Sequence, residues 1–226
     1  MPKISIIIPA YNEEKYIKKT IDSIIKSDFK DYEIIIVLDS CTDNTSEVIK
    51  QYKDLKFITV NARKASVARN AGVKLAKSNI LIFLDADTLI PKHLLSVIAS
   101  EFEPYAIGTV KAEPDIKRLG EKIIVYGKDI LIGAHIIKTS NGIIITNKST
   151  FDLVGGFDNT KAYHEDGIFV RQASKLGKFL YINNQVVTNS MRRYEILGYL
   201  TPTLFWIKEF FKGLIGKRAK VYPAAR

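Results

Sequence analysis

The chain has 226 residues, 46% of them hydrophobic and 26% charged, with 34 Lys and Arg against 24 Asp and Glu and a net charge of +10. This composition excludes a disordered tail, a collagen-like chain and a coiled-coil rod, and it predicts a folded chain with a basic bias. The single cysteine, Cys41, excludes an internal disulfide and favours a reducing, cytoplasmic location.

The first part of the chain alternates short apolar runs with amphipathic stretches. The apolar runs are rich in Ile and Val and nearly unbroken, which is typical of parallel strands covered on both faces. In the stretches between them, apolar residues recur at spacings of three and four, which predicts helices with one buried face. This alternation predicts an α/β fold with a parallel sheet and right-handed crossovers. The predicted strands are 3–9, 32–39, 56–60 and 80–85, and the predicted helices are 14–27, 45–52 and 65–78.

After Pro91 the pattern becomes less regular, and no linker marks a domain boundary. We therefore expect the second part to shape a pocket and not to repeat the first. Its predicted elements are a helix at 91–102, a strand at 106–112, a long helix at about 116–137, a strand at 142–146 and a helix from Glu165 to Leu176.

Three polar clusters follow predicted strands, at residues 9–13, at Asp39 and at Asp85. Ligands of parallel sheets collect at the carboxyl ends of the strands, so these clusters should converge on one edge. Asp85 and Asp87 are separated by one small residue, and Mg²⁺ typically takes one or two carboxylates together with substrate phosphates. The pair predicts a metal and diphosphate site, and the alternative is a solvated turn.

Several common enzyme motifs are missing. No glycine-rich dinucleotide fingerprint follows the first strand, and the chain has no phosphate-loop motif, which disfavours dehydrogenases and P-loop hydrolases. His164-Glu165 resembles the start of a zinc-protease helix, but Ile168 stands where the second histidine belongs.

Five sequence blocks, taken together and in this order, resemble the family 2 glycosyltransferases. They are Pro9-Ala10-Tyr11-Asn12-Glu13; Val37-Leu38-Asp39-Ser40-Cys41-Thr42-Asp43; Ala68-Arg69-Asn70-Ala71-Gly72; Asp85-Ala86-Asp87; and Gly155-Gly156-Phe157-Asp158 followed by Glu165-Asp166. The resemblance covers roughly residues 3–190. It implies the GT-A fold, a Rossmann-like, mostly parallel central sheet flanked by helices, and an inverting transfer of sugar from a nucleotide-sugar donor.

The resemblance also implies a role for each matching residue. Asp87 and Asp85 would bind a divalent cation, Mg²⁺ or Mn²⁺, and Asp166 would act as general base, which a hydroxyl acceptor requires at neutral pH. The alternative for Glu165 and Asp166 is a purely structural helix start. The donor nucleotide would be bound by Pro9, Ala10, Tyr11, Asn12, Glu13, Asp39, Arg69 and Asp85. Contacts with acceptor or phosphate are expected from Gly156, Phe157, Glu165, Arg192 and Arg193.

The chain departs from the family pattern in three places. Many members have two adjacent aspartates where this chain has Leu38-Asp39, which leaves one carboxylate for the nucleoside. The Gln-x-x-Arg-Trp block of processive synthases is missing after Gln172, which disfavours a polymerising enzyme. A histidine that completes the metal shell in some relatives is not evident, and Asn189 with a basic pair stands there instead, so the third metal ligand stays open.

The basic excess is concentrated in the C-terminal segment. Residues 190–226 hold 8 basic and 2 acidic side chains, beside an apolar stripe with several aromatic residues. No window reaches the roughly 18 apolar residues that a spanning helix needs. We expect a catalytic domain at 1–193 and an amphipathic basic helix at 194–226, with residues 196–220 in peripheral contact with the inner face of the membrane. The alternative packs the stripe on the catalytic domain or on another subunit.

The expected acceptor is a hydroxyl, for which a lipid-linked glycan is one candidate, and UDP-sugars are favoured over GDP-sugars as donors. One alternative is a polyprenyl-phosphate glycosyltransferase, which needs no base because its phosphate nucleophile is already ionised. A non-catalytic protein that binds nucleotide sugars or nucleic acid is a further alternative. Nucleic-acid binding is disfavoured because the basic excess lies in an apolar-rich tail and no nucleic-acid motif is visible.

Overall fold

A computed structural model describes residues 1–116, 119–134, 136–161 and 164–192, together with residues 196 and 198. The strands are β1 Ile4–Ala10, β2 Tyr32–Asp39, β3 Lys56–Val60, β4 Ile80–Leu84, β5 Thr88–Leu89, β6 Ile107–Pro114, β7 Ile143–Asn147 and β8 Phe179–Asn189. The helices are α1 Ile17–Ile25, α2 Thr45–Ile49, α3 Ala65–Val73, α4 Leu94–Glu101, α5 Leu119–Gly133, α6 Lys148–Val154 and α7 Glu165–Ala173.

The strands form one mixed sheet in the order β3-β2-β1-β4-β7-β6-β8-β5. The first four strands run parallel, as the sequence predicts. Strand β7 is antiparallel to both β4 and β6, β6 and β8 are parallel, and β5 is antiparallel to β8. The α/β fold with a mostly parallel sheet is therefore confirmed, while β8 is a strand that the sequence analysis did not identify.

Helices cover both faces of the sheet, so the side chains of each central strand pack into two hydrophobic cores. In β1, Ile6 and Ile8 pack in the cluster that contains α1 and α4, whereas Ile7 packs in the cluster that contains α3 and α7. All three side chains are at most 1% exposed. This double burial explains why the strand reads as an unbroken apolar run, since successive side chains point to opposite faces.

The predicted C-terminal amphipathic helix, at residues 194–226, lies outside the described residues except for 196 and 198. The division into 1–193 and 194–226 accordingly stays a prediction. Among the residues that the structure describes, no helix has the length and apolar character needed to cross a membrane.

Candidate active site

The loops that follow β1 and β2 are joined by hydrogen bonds at the carboxyl edge of the sheet. Asn12 Oδ1 accepts a hydrogen bond from Thr42 N at 2.8 Å, and its amide nitrogen donates to Thr42 Oγ1 at 3.1 Å. The backbone N–H of Glu13 donates to Thr45 Oγ1 at 2.7 Å. Asn12 holds a left-handed backbone with φ of 54°, which turns the loop back towards β2. Because β2 and β4 both run parallel to β1, the clusters at 9–13, Asp39 and Asp85 lie at the same edge of the sheet, as predicted.

Asp39, at the end of β2, is 3% exposed and organises the loop that leads into α3. Its Oδ1 accepts hydrogen bonds from the backbone N–H groups of Ala62 and Arg63, each at 2.8 Å, and its Oδ2 accepts one from Lys64 at 2.7 Å. A carboxylate oxygen can accept two hydrogen bonds, so Oδ2 retains capacity for a further donor. The contact of Asp39 with a nucleoside base stays a prediction.

The Asp85-Ala86-Asp87 turn is held by hydrogen bonds to two other segments. The N–H of Asp85 donates to the Gly142 carbonyl at 2.9 Å, and Thr20 Oγ1 on α1 donates to the Ala86 carbonyl at 2.8 Å. Ala86 is 4% exposed, which explains why a small residue separates the two aspartates. The Asp85 side chain is 44% exposed, so the turn presents this carboxylate to solvent.

Arg69 on α3 joins this turn to helix α7. Its Nη2 donates to Asp85 Oδ1 at 3.0 Å and its Nη1 donates to Glu165 Oε1 at 2.7 Å. Burial lowers the pKa of Arg69, but the carboxylates of Asp85, Glu165 and Asp166 outweigh burial and raise it above its ordinary value. A charge that is 7% exposed needs such partners, and they fix the guanidinium between the two sides of the site.

The neighbours of Arg69 on α3 explain the rest of its sequence block. Asn70 Nδ2 donates to the Phe157 carbonyl at 2.8 Å, and the Phe157 N–H donates to Asn70 Oδ1 at 2.9 Å. These two hydrogen bonds fasten the turn at Gly155 and Gly156, whose φ angles of 81° and 75° favour glycine. Gly72 lies against β1 and β2, where an added Cβ would overlap Ile7. Helix α3 thus supplies Arg69 to the site, fastens the glycine turn through Asn70 and packs closely on the sheet at Gly72.

Phe157 packs beside Arg69 in a buried aromatic cluster, and its expected contact with acceptor or phosphate stays a prediction. Its side chain is 2% exposed and lies within an aromatic cluster. Its ring stacks on Phe169 with centroids 4.4 Å apart and meets Phe83 edge-on at 4.8 Å. The Arg69 guanidinium lies 5.2 Å from the Phe157 ring centroid, so Phe157 supports that cation from below.

Glu165 and Asp166 occupy the first turn of α7, after His164, which holds a left-handed backbone with φ of 62°. A helix N-terminus favours negative charge. Burial raises the pKa of Asp166, but Arg69, a hydrogen bond from Ser140 Oγ, the Gly167 N–H and Lys128 together outweigh it and hold the pKa below its ordinary value. These contacts favour the ionised form of the Asp166 carboxylate.

Arg192, after β8, bridges the first loop and the aspartate turn. Its two Nη atoms donate to the two carboxylate oxygens of Glu13 at 2.5 and 2.6 Å, and its Nε lies 3.1 Å from Asp87 Oδ2. Burial raises the pKa of Glu13, and Arg192 opposes that rise. Arg192 thus binds one expected nucleotide residue and one expected metal ligand, whereas Arg193 lies outside the described residues.

Comparison with known proteins places the chain in a family. The model of "Glycosyl transferase family 2" matches residues 5–158, more than half of the sequence. The chain belongs to glycosyltransferase family 2. Glycosyltransferase GlyA of Streptococcus pneumoniae is 28% identical over 224 residues, which cover 92% of this chain and 28% of that protein. The chain therefore spans under a third of this relative.

Two solved structures share the fold of this family 2 chain. TarS of Staphylococcus aureus in complex with UDP-GlcNAc superposes with a TM-score of 0.69 at 22% identity, covering 84% of this chain and 59% of that one. The mannosyltransferase PcManGT of Pyrobaculum calidifontis, in complex with GDP-Man and Mn²⁺, superposes with a TM-score of 0.72 at 19% identity, covering 97% and 66%. These similarities confirm the GT-A fold.

The donor set of this family 2 chain fits a divalent cation. Among the described residues, no three His, Cys, Asp or Glu side chains cluster as a complete metal site. One oxygen of Asp85 pairs with Arg69, and one oxygen of Asp87 pairs with Arg192. Such a sparse set of hard oxygen donors suits Mg²⁺ or Mn²⁺, which take their remaining ligands from phosphate and water.

Two residues near Asp166 in this family 2 chain were not predicted from the sequence. Lys128 on α5 and Ser140 before β7 both lie beside Asp166, and neither belongs to a matching block. Lys128 is followed by Asp129 within the largely apolar stretch from Ile123 to Gly133, and that polar pair is a signal that could have drawn attention. Ser140 carries no such signal, because its position depends on the pairing of β7 with β4.

Proposed function

We propose that the chain is a metal-dependent, inverting glycosyltransferase that moves a sugar from a nucleotide sugar to a hydroxyl acceptor. The observation that carries this proposal is the pair of salt bridges from Arg69 to Asp85 and Glu165. They bring the aspartate turn, where the donor would bind, close to the candidate base Asp166. The structural neighbours bind UDP-GlcNAc in one case and GDP-Man with Mn²⁺ in the other, which supports a nucleotide-sugar donor. UDP-sugars are the favoured donors, and GDP-sugars are the second choice.

The donor would lie along the edge formed by residues 9–13, Asp39 and the aspartate turn. Asp85 and Asp87 are the residues that would hold the cation, which when bound supplies Lewis-acid stabilisation of the leaving diphosphate. Arg192 lies at Asp87, so its guanidinium would be close to a diphosphate held at the aspartate turn. Its positive charge would stabilise the diphosphate as negative charge accumulates there.

The acceptor hydroxyl would be activated by Asp166. The carboxylate takes the hydroxyl proton while the oxygen attacks the anomeric carbon, and the bond from that carbon to the diphosphate oxygen breaks. A single displacement inverts the anomeric centre. Because neighbouring cations keep the pKa of Asp166 low, the base is ionised before the acceptor binds.

The need for a base separates two classes of acceptor. A polyprenyl phosphate is ionised at neutral pH and requires no proton transfer, whereas an alcohol does. An ionised carboxylate at a helix start, held by Arg69 and Ser140, is the arrangement that an alcohol needs. We therefore favour a glycan hydroxyl, with a lipid-linked glycan as one candidate.

A panel of nucleotide sugars tests the proposal. UDP-GlcNAc, UDP-glucose, UDP-galactose and GDP-mannose are each added with Mn²⁺ or Mg²⁺, and both nucleotide release and thermal unfolding are followed. We expect one nucleotide to stabilise the protein by about 2.7 kcal/mol at a hundredfold excess over its Kd. Asp87→Ala should remove this stabilisation, while Asp54→Ala, which changes an exposed carboxylate distant from the site, should keep it. A protein that responds to none of the donors would contradict the proposal.

We also propose that residues 196–220 contact an anionic membrane surface, on the strength of their apolar stripe and basic cluster. Cosedimentation with phosphatidylglycerol and phosphatidylcholine vesicles tests this. Each basic residue near an anionic surface contributes about 1 kcal/mol, so reversing Lys217, Arg218 and Lys220 to Glu should abolish binding to the anionic vesicles. Reversing the exposed Lys15, Lys19 and Lys26 is the matched control. Equal losses in the two triple variants would count against a specific role of the segment.

A further inference from the structure

Asp166 is held by a short chain of contacts that begins on α5. Ser140 is 7% exposed, and its hydroxyl donates to Asp166 Oδ2. Lys128 Nζ donates to the Ser140 carbonyl at 2.5 Å. A lysine on one helix therefore fixes the backbone of a loop serine, and that serine binds the carboxylate on another helix.

The loop that carries Ser140 is held by hydrogen bonds on both sides. Asn141 is 2% exposed, and its Nδ2 donates to Asp129 Oδ1 at 2.6 Å and to the Val110 carbonyl at 3.1 Å. Gly142 has φ of 78°, and its carbonyl accepts the Asp85 N–H at 2.9 Å. The loop is thereby tied to α5 at one end and to the aspartate turn at the other.

We propose that Ser140 and Lys128 are positioning residues for Asp166. Ser140 restricts rotation of the carboxylate, and Lys128 keeps Ser140 in place while adding a positive charge nearby. This inference rests on the proposed role of Asp166 as general base, and it adds two residues that lie outside the matching sequence blocks.

Charged groups on several elements face Asp166 and influence its pKa, so a test must take them into account. Arg69 approaches from α3 and Lys128 from α5, while Glu165 precedes Asp166 on α7. Asp85 interacts with both cations from the end of β4. Removing Ser140 leaves these charges unchanged, so its variant isolates one hydrogen bond to the carboxylate.

The first test is the pH dependence of kcat and KM in Ser140→Ala. A hydrogen bond to an ionised group favours that form, so its loss should move the acid limb of the kcat profile up by about one pH unit. We expect kcat to fall about tenfold, with the KM for the donor nearly unchanged. Lys128→Met should move the limb in the same direction, and Ser140→Thr, which keeps the hydroxyl, should restore the wild-type limb.

Ser174→Ala is the matched control. Ser174 lies just after α7, and its hydroxyl donates to the Val170 carbonyl at 2.6 Å, so this variant also loses a serine hydrogen bond but leaves Asp166 untouched. Its pH profile should match that of the wild type. In an Asp166→Asn background, Ser140→Ala should cause no further loss of kcat, because the group that Ser140 positions is already gone.

A second measurement does not depend on turnover. The carboxyl carbon-13 resonance of Asp166, assigned by its loss in Asp166→Asn, should titrate at higher pH in Ser140→Ala than in the wild type. An unchanged resonance and an unchanged acid limb would overturn the inference. A resonance that moves in a protein without transferase activity would instead overturn the proposed function and leave the Ser140 contact supported.

Discussion

The two sides of the site are built by different architectures. On the donor side, residues 4–89, the functional groups at 9–13, Asp39 and Asp85 follow the parallel strands β1, β2 and β4, which are largely buried on both faces. On the acceptor side, residues 94–192, they come from the start of a helix, the middle of another helix and a loop before an antiparallel strand. A parallel sheet thus dictates where its ligands lie, whereas the acceptor side depends on how separate segments pack.

The match to the family covers residues 5–158, which takes in nearly all of the donor side and the first part of the acceptor side, and it ends before Glu165 and Asp166. The candidate base is therefore proposed from the Glu165-Asp166 block of the resemblance and from its neighbours in space, not from the family match. Arg69 is the residue that connects the two sides, with one amino group on Asp85 and the other on Glu165.

The largest expected effect tests the acceptor side. Asp166→Asn keeps the shape of the side chain but cannot accept the acceptor proton, so kcat should fall by about 10²- to 10⁴-fold. Binding of the donor nucleotide should change little, because the donor edge is untouched, whereas the protein should lose some stability, because Arg69 loses one of its buried carboxylate partners. Steady-state kinetics and nucleotide-induced thermal shifts measure these quantities.

Asp152→Asn is the control for that substitution, since Asp152 is an exposed carboxylate on α6. It should retain wild-type kcat. If Asp166→Asn also retained its rate, the acceptor would not need a base, and a phosphate acceptor would replace the hydroxyl in the proposal.

The next effect tests the connection between the two sides. Arg69→Met leaves Glu165, whose side chain is 13% exposed, without its buried partner, and should lower the free energy of unfolding by about 3 kcal/mol. Arg69→Lys should lose less, because one ammonium can still reach a carboxylate. Urea denaturation measures both, with Lys19→Met as an exposed control. Equal stability of Arg69→Met and the control would show that the bridge contributes nothing.

Sequence patterns were sufficient for the donor side of the fold. The predicted strand at 32–39 matches β2, and the strands at 3–9 and 80–85 differ from β1 and β4 by one residue at their ends. Burial on both faces makes such strands uniformly apolar, which leaves little ambiguity. Strand β8 was not predicted because Asn183, Asn184 and Gln185 interrupt it, at the point where its register with β6 shifts.

The site residues also fall into two groups, those that the sequence predicts and those that only the structure reveals. Asp85, Arg69 and Asp166 stand in recognisable blocks, and the structure brings them within one network. Ser140 reaches Asp166 only because β7 runs antiparallel to β4, with Leu84 opposite Ile143. Pairing between strands so distant in the chain cannot be read from local periodicity, so Ser140 and Lys128 required the structure.

A third prediction tests how tightly the donor side is packed. In Gly72→Ala, the new methyl group would overlap Ile7 Cγ2 and lie 3.2 Å from Val37 Cγ2. Both neighbours are fully buried, so α3 must shift away from the sheet, at a cost of about 1 to 3 kcal/mol. Thermal and urea unfolding measure the change. A neutral result would mean that α3 can move without loss.

The smallest expected effect is an increase in the stability of the protein, and it tests the acceptor side. Gly127 lies within α5, and a Cβ added there would meet no atom within 4 Å among the described residues. Alanine is favoured over glycine inside a helix by about 1 kcal/mol, so Gly127→Ala should stabilise the protein by up to that amount. The same substitution at two glycines would thus destabilise one side and stabilise the other. If Gly127→Ala were as damaging as Gly72→Ala, α5 would be packed as closely as α3, and the contrast between the two sides would not extend to their helices.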